Sequence, residues 1–212
     1  MSELIENDDE DPRELLAEVS EVFYSRGWMY GTAGNLSLRQ PDGSFWITAS
    51  GKQKGLLTPH DFLRIGPDGK VVERGQGSDR PSAETSLHQA LYALYPEAGA
   101  CFHVHTVAGN VAARLDLGDK LSLPPLEMIK GLGVWDENPQ VHLDLFSNHA
   151  DVPRIAREMT ERFRADPPRL PGFLIRDHGL TVWGPTAATA FNCIELFEYV
   201  FLYMAAARTA GI

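Results

Sequence analysis

The chain has 212 residues, 43% of them hydrophobic, with a formal net charge of −10 at pH 7 and two cysteines. This size predicts one folded domain with a substantial core, and the acidic balance argues against nonspecific binding to nucleic acid or to an anionic membrane. Two cysteines do not indicate a disulfide framework, and we see neither an apolar run of about 18 residues nor a basic, apolar leader. We therefore expect a cytoplasmic protein with no nucleic-acid partner and no membrane partner.

The hydrophobic spacing predicts an acidic disordered tail at residues 1–11 and then a single domain from residue 12 to 212. Helices are predicted at residues 12–27, 82–95 (with Ser82 as N-cap), 107–114, 152–164 and 185–208. Strands are predicted at residues 36–39, 45–48, 62–65, 71–73, 101–106, 141–146, 173–176 and 180–183, with residues 121–133 irregular. This mixture indicates the α/β class, with helices flanking a central, mostly antiparallel sheet.

Two histidines in one predicted strand form the first candidate site. His103 and His105 lie two residues apart, so on a strand their side chains project from the same face. Such a pair can share zinc or a neighbouring transition metal, or can form an ordinary hydrogen-bonded pair. His178, in a turn beside Gly179, is by itself typical of a structural turn residue. Together with the other two, it would complete an open, catalytic type of metal site.

Glu84 and His88 offer an alternative on the predicted helix 82–95. Glu84 falls in its first turn, where a negative charge stabilises the helix N-terminus. It can instead reach a metal ion or its bound substrate. His88 lies four residues further on the same face and forms a rival metal pair with Glu84. The apolar stripe of this helix favours a packed or surface position for His88.

Loops rich in glycine and hydroxyl side chains form a second candidate site. They contain Gly34 and Asn35, then Ser50 and Gly51, and finally Ser82. Backbone N–H groups and hydroxyls in such loops can hold a phosphate dianion without a positively charged protein surface. The same composition is also usual in ordinary turns. Neither a P-loop nor a GxGxxG pattern occurs, so a nucleotide is not indicated.

Glu127 is a carboxylate within an otherwise apolar segment, residues 124–131. Burial would raise its pKa towards the range that is useful for proton transfer at neutral pH. A surface position on a loop would leave it without such a role, and the sequence alone favours that second interpretation.

The motifs taken together resemble the class II aldolase/adducin family. They run in order from about residue 13 to 208: Gly34-Asn-Leu-Ser37, Thr48-Ala-Ser-Gly51, Pro81-Ser-Ala-Glu84, His103-Val-His105 and Asp177-His-Gly-Leu180. Within the family, residues 50–55, 84–92 and 127–131 resemble its dehydratases of a phosphorylated ketose. The resemblance implies a class II aldolase-like fold and the dehydration of 5-methylthioribulose 1-phosphate to 2,3-diketo-5-methylthiopentyl 1-phosphate, a step of methionine salvage.

The resemblance also implies roles for particular residues. It implies one Zn²⁺ per subunit, held by His103, His105 and His178, and Glu127 as the catalytic acid/base with Glu84 as helper. It implies phosphate binding by Gly34, Asn35, Ser50, Gly51 and Ser82, and a homotetramer with sites at subunit interfaces. The alternatives are an aldolase or epimerase of another short ketose phosphate, such as fuculose or ribulose phosphate, which would rely on Glu84, and a non-catalytic association domain, in which the histidines would be dispensable.

Overall fold

One large sheet forms the centre of the computed structural model, which describes residues 11–75 and 79–212. Within these residues the sheet has nine strands, in the spatial order β4-β3-β2-β1-β5-β9-β8-β7-β6. In chain order the strands are β1 (Asn35–Arg39), β2 (Phe45–Thr48), β3 (Phe62–Ile65), β4 (Val71–Arg74), β5 (Ala100–Val104), β6 (Lys120–Ser122), β7 (His142–Phe146), β8 (Gly172–Ile175) and β9 (Gly179–Gly184). Only β7 and β8 pair in parallel, so the expected α/β domain with a mostly antiparallel sheet is confirmed.

Helices cover both faces of the sheet. They are α1 (Pro12–Ser25), α2 (Thr85–Leu94), α3 (Val107–Ala112), α4 (Val152–Ala165) and α5 (Ala187–Ala210). Because successive strand residues point to opposite faces, Phe102 and Val104 of β5 pack into a core with α1, α3 and α5, whereas Cys101 packs into a second core with α2 and α4. Both cysteines are buried and free.

The predicted start of the second helix was wrong. Helix α2 begins at Thr85 with Glu84 as its N-cap residue, so neither Ser82 nor the first helical turn occupies the expected position. Ser82 instead closes the turn before the helix: its carbonyl accepts from the Thr85 N–H at 3.1 Å, and its hydroxyl accepts from the Glu84 N–H at 3.3 Å. Glu84 therefore lies immediately before the helix and not within its first turn.

Two further boundaries differ from the sequence prediction. Strand β5 ends at Val104 instead of residue 106, since the His105 N–H donates to the carbonyl of Trp28 at 2.9 Å, outside the sheet. The segment expected to be irregular, residues 121–133, contains part of β6 and a 3-10 helix, Glu127–Leu132. Most of the predicted tail, residues 1–10, lies outside the described residues, and the Asp11 carboxylate caps α1 by accepting from the Arg13 N–H.

Helix α5 corrects the expectation that no apolar segment reaches the length of a bilayer. It has 24 residues and is long and apolar enough to cross a membrane by length and composition alone. One side of it packs into the core against β5, β9 and α3, and Phe197, Val200 and Phe201 are buried there. The same side buries the carboxyl group of Glu198.

Candidate metal centre and substrate cavity

The four predicted metal-proximal residues meet at one end of the two central strands. Because β5 and β9 are antiparallel neighbours, with Val104 opposite Leu180, the turn that precedes β9 lies beside the end of β5. This register brings His178 to His103 and His105. Glu84, in front of α2, completes the group, and its four ligand atoms all lie within 4.8 Å of one another.

The donor atoms of this group lie as close together as metal ligands, or closer. The Nε2 atoms of His103 and His105 are 2.8 Å apart, and Glu84 Oε1 lies 2.6 Å from His178 Nε2. Glu84 Oε1 is 3.4 Å from His103 Nε2. Ligand atoms about 2.0–2.1 Å from a tetrahedral zinc ion are about 3.3 Å apart. The 3.4 Å separation equals this spacing within about 0.1 Å and the other two are shorter, so the donor atoms converge on one point and would move slightly apart around an ion.

The charges of the group also fit a cation. Burial lowers the pKa of His103 to about 4 and the pKa of His105 to about 3, so both imidazoles are neutral at pH 7. Burial would raise the pKa of Glu84, but the adjoining histidines and the Asn35 amide outweigh it and hold that pKa well below its usual value. The Glu84 carboxylate beside these two neutral imidazoles offers the negative charge that a divalent ion would balance.

A hydrogen bond orients the ring of His103, and backbone contacts position His178. His103 Nδ1 lies 2.9 Å from Thr181 Oγ1, a contact that leaves its Nε2 free to bind a metal. His178 sits after Asp177, whose left-handed backbone (φ 53°) turns the chain between β8 and β9. Arg114 pairs with the Asp177 carboxylate through two hydrogen bonds of 2.5 and 2.7 Å. Asn110 Nδ2 donates to the His178 carbonyl at 3.2 Å.

A buried chain of hydrogen bonds begins at Glu84. We call it the Glu84 support network, and it consists of Asn35, His88, Ser37 and Tyr92. Asn35 Nδ2 donates to Glu84 Oε2, and Asn35 Oδ1 lies 2.5 Å from His88 Nε2. His88 Nδ1 lies 2.7 Å from Ser37 Oγ, which in turn lies 2.7 Å from the Tyr92 hydroxyl. His88 is thus a packed residue that steadies a candidate ligand, and its partners could not be identified from helical spacing.

The five residues predicted to bind phosphate line a single cavity next to the metal group. Gly34, Asn35, Ser50, Gly51 and Ser82 surround a volume of about 270 Å³, together with Glu84, His105 and Lys54. The Asn35 amide is already engaged by Glu84 and His88. A side chain at Gly34 would place its Cβ 2.9 Å from the His103 carbonyl oxygen, and its φ of 85° also favours glycine.

A second cavity, of about 460 Å³, lies on the other side of His105. Its walls include the apolar side chains of Val107, Val111 and Leu115. His105 is therefore shared by a polar cavity and an apolar one. The sequence does not predict this arrangement, since the three apolar residues have the spacing of one ordinary helix face.

Glu127 does not belong to the group around the metal site in the described chain. It begins the 3-10 helix Glu127–Leu132, its side chain is 81% exposed, and its Oε1 accepts from Lys130 Nζ at 2.8 Å. Glu127 therefore has the surface position that the sequence alone favours.

Comparison with known proteins identifies the family. Residues 14–204 match the Class II Aldolase and Adducin N-terminal domain. The methylthioribulose-1-phosphate dehydratase of Microcystis aeruginosa is 55% identical over 197 residues, which cover 93% of this chain and 96% of that protein. The dehydratase of the same name from Bacillus subtilis is 42% identical, over 89% of each chain. The structure of YgbL from Escherichia coli, a putative aldolase/epimerase/decarboxylase, superposes with a TM-score of 0.78 at 27% identity, covering 92% of this chain and 88% of that one. The chain belongs to the class II aldolase and adducin family.

Proposed function

We propose that this chain dehydrates 5-methylthioribulose 1-phosphate to 2,3-diketo-5-methylthiopentyl 1-phosphate. The similarity to dehydratases of that name supports this proposal. The observation that carries it is the adjacency of three histidines and a glutamate to a cavity of glycine and serine loops. Such a site can bind the phosphate and the sugar oxygens of one small substrate at the same time.

The proposed cofactor is one Zn²⁺ per subunit, with His103, His105 and His178 as its ligands and Glu84 beside them. A divalent ion there supplies Lewis-acid stabilisation of the negative charge that develops next to the C2 ketone. Glu84 keeps its carboxylate aimed at the histidines because Asn35 holds its second oxygen. The loops around Gly34, Ser50, Gly51 and Ser82 hold the phosphate at the other end of the cavity.

Glu127 is the proposed acid/base. Its carboxylate removes the C3 proton and returns that proton to the departing C4 hydroxyl, which leaves as water, and the enol then becomes the second ketone. Because Glu127 is exposed and apart from its own metal group, we infer that it serves the site of a neighbouring subunit in a homotetramer. Lys130, paired with it at 2.8 Å, would orient the carboxylate before the subunits assemble.

The second cavity provides a place for the methylthio end of the substrate. A thioether is apolar and polarisable, and Val107, Val111 and Leu115 offer an apolar wall beside the metal ligand His105. The substrate would then extend from the phosphate loops across the metal group to this wall. The buried, free thiols of Cys101 and Cys193 suit the reducing cytoplasm that we propose as its location.

The test compares Glu127→Gln with Glu84→Gln on a panel of ketose 1-phosphates, with diketone formation and carbon–carbon cleavage measured separately. We expect diketone from the methylthio substrate and a loss of at least 100-fold, about 3 kcal/mol of barrier, for Glu127→Gln. Mixing Glu127→Gln with His105→Ala subunits should restore part of the activity, since one mixed interface then contains both intact residues. Full activity of the Glu127→Gln protein would exclude the proposed mechanism.

An aldolase is the second candidate, and the position of Glu84 favours it. Its carboxylate lies at the metal group, where a proton acceptor for carbon–carbon cleavage is needed. Cleavage of a short ketose phosphate without diketone formation, abolished by Glu84→Gln but not by Glu127→Gln, would support this function instead.

A further inference from the structure

Lys54 is a buried cation beside the substrate cavity. It begins a 3-10 helix, Lys54–Leu56, within a loop that the sequence presents as polar and exposed. Its side chain is nevertheless only 2% exposed. The ammonium group donates to the carbonyls of Thr32 at 2.7 Å and Lys52 at 3.1 Å.

No carboxylate of the described residues pairs directly with the ammonium group, and Glu84 acts on it only through its charge at a longer distance. An ammonium has three donors, and the two carbonyls satisfy two of them without neutralising the charge. Burial lowers the pKa of Lys54 to about 8, opposed by the negative charge of Glu84, so the group remains mostly protonated at pH 7. A buried, charged group without an ionic partner is costly. Such a group in an enzyme indicates that its partner arrives from solution.

The surroundings of Lys54 specify an anion. It lines the cavity of about 270 Å³ together with Gly34, Ser50, Gly51 and Ser82, whose hydroxyl and backbone groups suit phosphate oxygens. The amide of Asn35, another polar group of this cavity, is already engaged by Glu84 and His88. Lys54 is therefore the cationic side chain within the cavity wall.

We propose that Lys54 is the charged anchor for the phosphate group of the substrate, a role that rests on the proposed function. Its third donor faces the phosphate in the cavity while the carbonyls of Thr32 and Lys52 fix the direction of the ammonium. The loops supply hydrogen bonds, and Lys54 supplies the charge that selects a phosphorylated ketose over the free sugar.

Lys52 offers a matched control two residues away. Its ammonium already pairs with Asp61 at 3.0 Å and with Asp79 at 2.9 Å. Its charge is thus neutralised by the protein, and it does not line the cavity. Removal of this second lysine changes the net charge of the protein by the same amount without removing the proposed anchor.

The experiment uses the Lys54→Met, Lys54→Arg and Lys52→Met proteins in both zinc-loaded and zinc-free form, with inorganic phosphate as the probe in calorimetric titrations. We expect Lys54→Met to weaken phosphate binding about 10- to 100-fold, as for loss of a charge-assisted hydrogen bond, in both forms. In the steady state the same variant should raise KM by a similar factor, with kcat changed far less. Lys52→Met should behave like the wild type.

A pH series separates an anchor from a structural residue. Phosphate affinity of the wild type should fall as the pH rises through the pKa of the ammonium, whereas Lys54→Arg should retain affinity at high pH because guanidinium stays charged. This comparison remains available if Lys54→Met fails to fold, since Arg preserves the buried charge. Equal phosphate affinity in Lys54→Met and the wild type, a loss confined to kcat, or the same high-pH fall in Lys54→Arg would overturn the proposal. Phosphate binding needs no turnover, so a protein that binds phosphate as expected but forms no diketone would refute the proposed function alone.

Discussion

Replacement of His88 tests whether the Glu84 support network holds the metal group in place. His88 is fully buried, and its two ring nitrogens contact Ser37 Oγ at 2.7 Å and Asn35 Oδ1 at 2.5 Å. His88→Leu conserves much of the volume but removes both contacts. His88→Gln retains an amide that can replace one of them. His60, which is exposed, provides the control substitution His60→Leu.

The expected cost follows from the polar groups that are left without partners. Each buried group deprived of its hydrogen bond costs about 1–3 kcal/mol, so His88→Leu should lower the free energy of unfolding by about 2–6 kcal/mol. His88→Gln should cost about half as much. The released Asn35 amide no longer fixes Glu84, and loss of such an outer support typically weakens metal affinity by about 10- to 100-fold.

The pH dependence of the free energy of unfolding gives a second, independent test of the burial of His88. Burial lowers the pKa of His88 from its usual 6.5 to about 4, so its neutral form stabilises the folded state above pH 6.5. As the pH falls from 6.5 towards 4, the unfolded wild type binds the extra proton and the wild type loses up to about 1.4 kcal/mol per pH unit. The leucine variant lacks this loss, so the difference between the two proteins should narrow in acid.

Urea denaturation of the metal-free proteins at pH 7 and pH 5 measures both effects, and chelator competition measures zinc affinity. The absorption spectrum of the cobalt-substituted protein would report a changed ligand geometry. A His88→Leu protein within about 0.5 kcal/mol of the wild type, with the same zinc affinity, would refute the role assigned to the network.

Three other substitutions have definite expected results. Burial raises the pKa of Glu198 from its usual 4.5 to about 7, so ionisation of this carboxyl group increasingly destabilises the fold between those pH values. In thermal denaturation, Glu198→Gln should therefore raise the free energy of unfolding by up to about 3 kcal/mol at pH 8 and by little at pH 5. An equal gain at both pH values would contradict this expectation. His178→Ala should abolish stoichiometric zinc binding while leaving the far-ultraviolet circular dichroism unchanged, and full zinc content by elemental analysis would exclude it as a ligand. Gly34→Ala combines a φ of 85° with a Cβ contact of 2.9 Å to the His103 carbonyl, so it should cost at least about 1–3 kcal/mol in urea, and an unchanged midpoint would show that the loop adapts.

The sequence indicated the candidate metal ligands because the histidine patterns lie within short segments of the chain. The spacing of His103 and His105 fixes their common direction before any tertiary structure is known. The turn at Gly179 marked the position of His178. Their convergence needed the register of β5 against β9, which short-range patterns do not contain. The resemblance of the motifs to a family therefore supplied what periodicity could not.

The remainder of the site depends on contacts between distant segments. The sequence predicts an exposed loop position for Lys54, because lysines in polar loops are usually exposed. In the structure it is only 2% exposed, and its ammonium donates to the carbonyls of Thr32 and Lys52. Ser82 satisfies the preference for an N-cap residue, but the turn Ser82–Glu84 displaces the helix start to Thr85. Glu127 is exposed because its segment packs on α5 and leaves the carboxylate facing outward.

The position of His178 late in the chain has a consequence for assembly during synthesis. A growing polypeptide presents Glu84, His103 and His105 long before the segment that forms β8 and β9 has been made. The fourth donor reaches the others only when β9 pairs with β5 at the centre of the sheet. Binding of an ion by all four residues would therefore be a late event, after most of the domain has been synthesised.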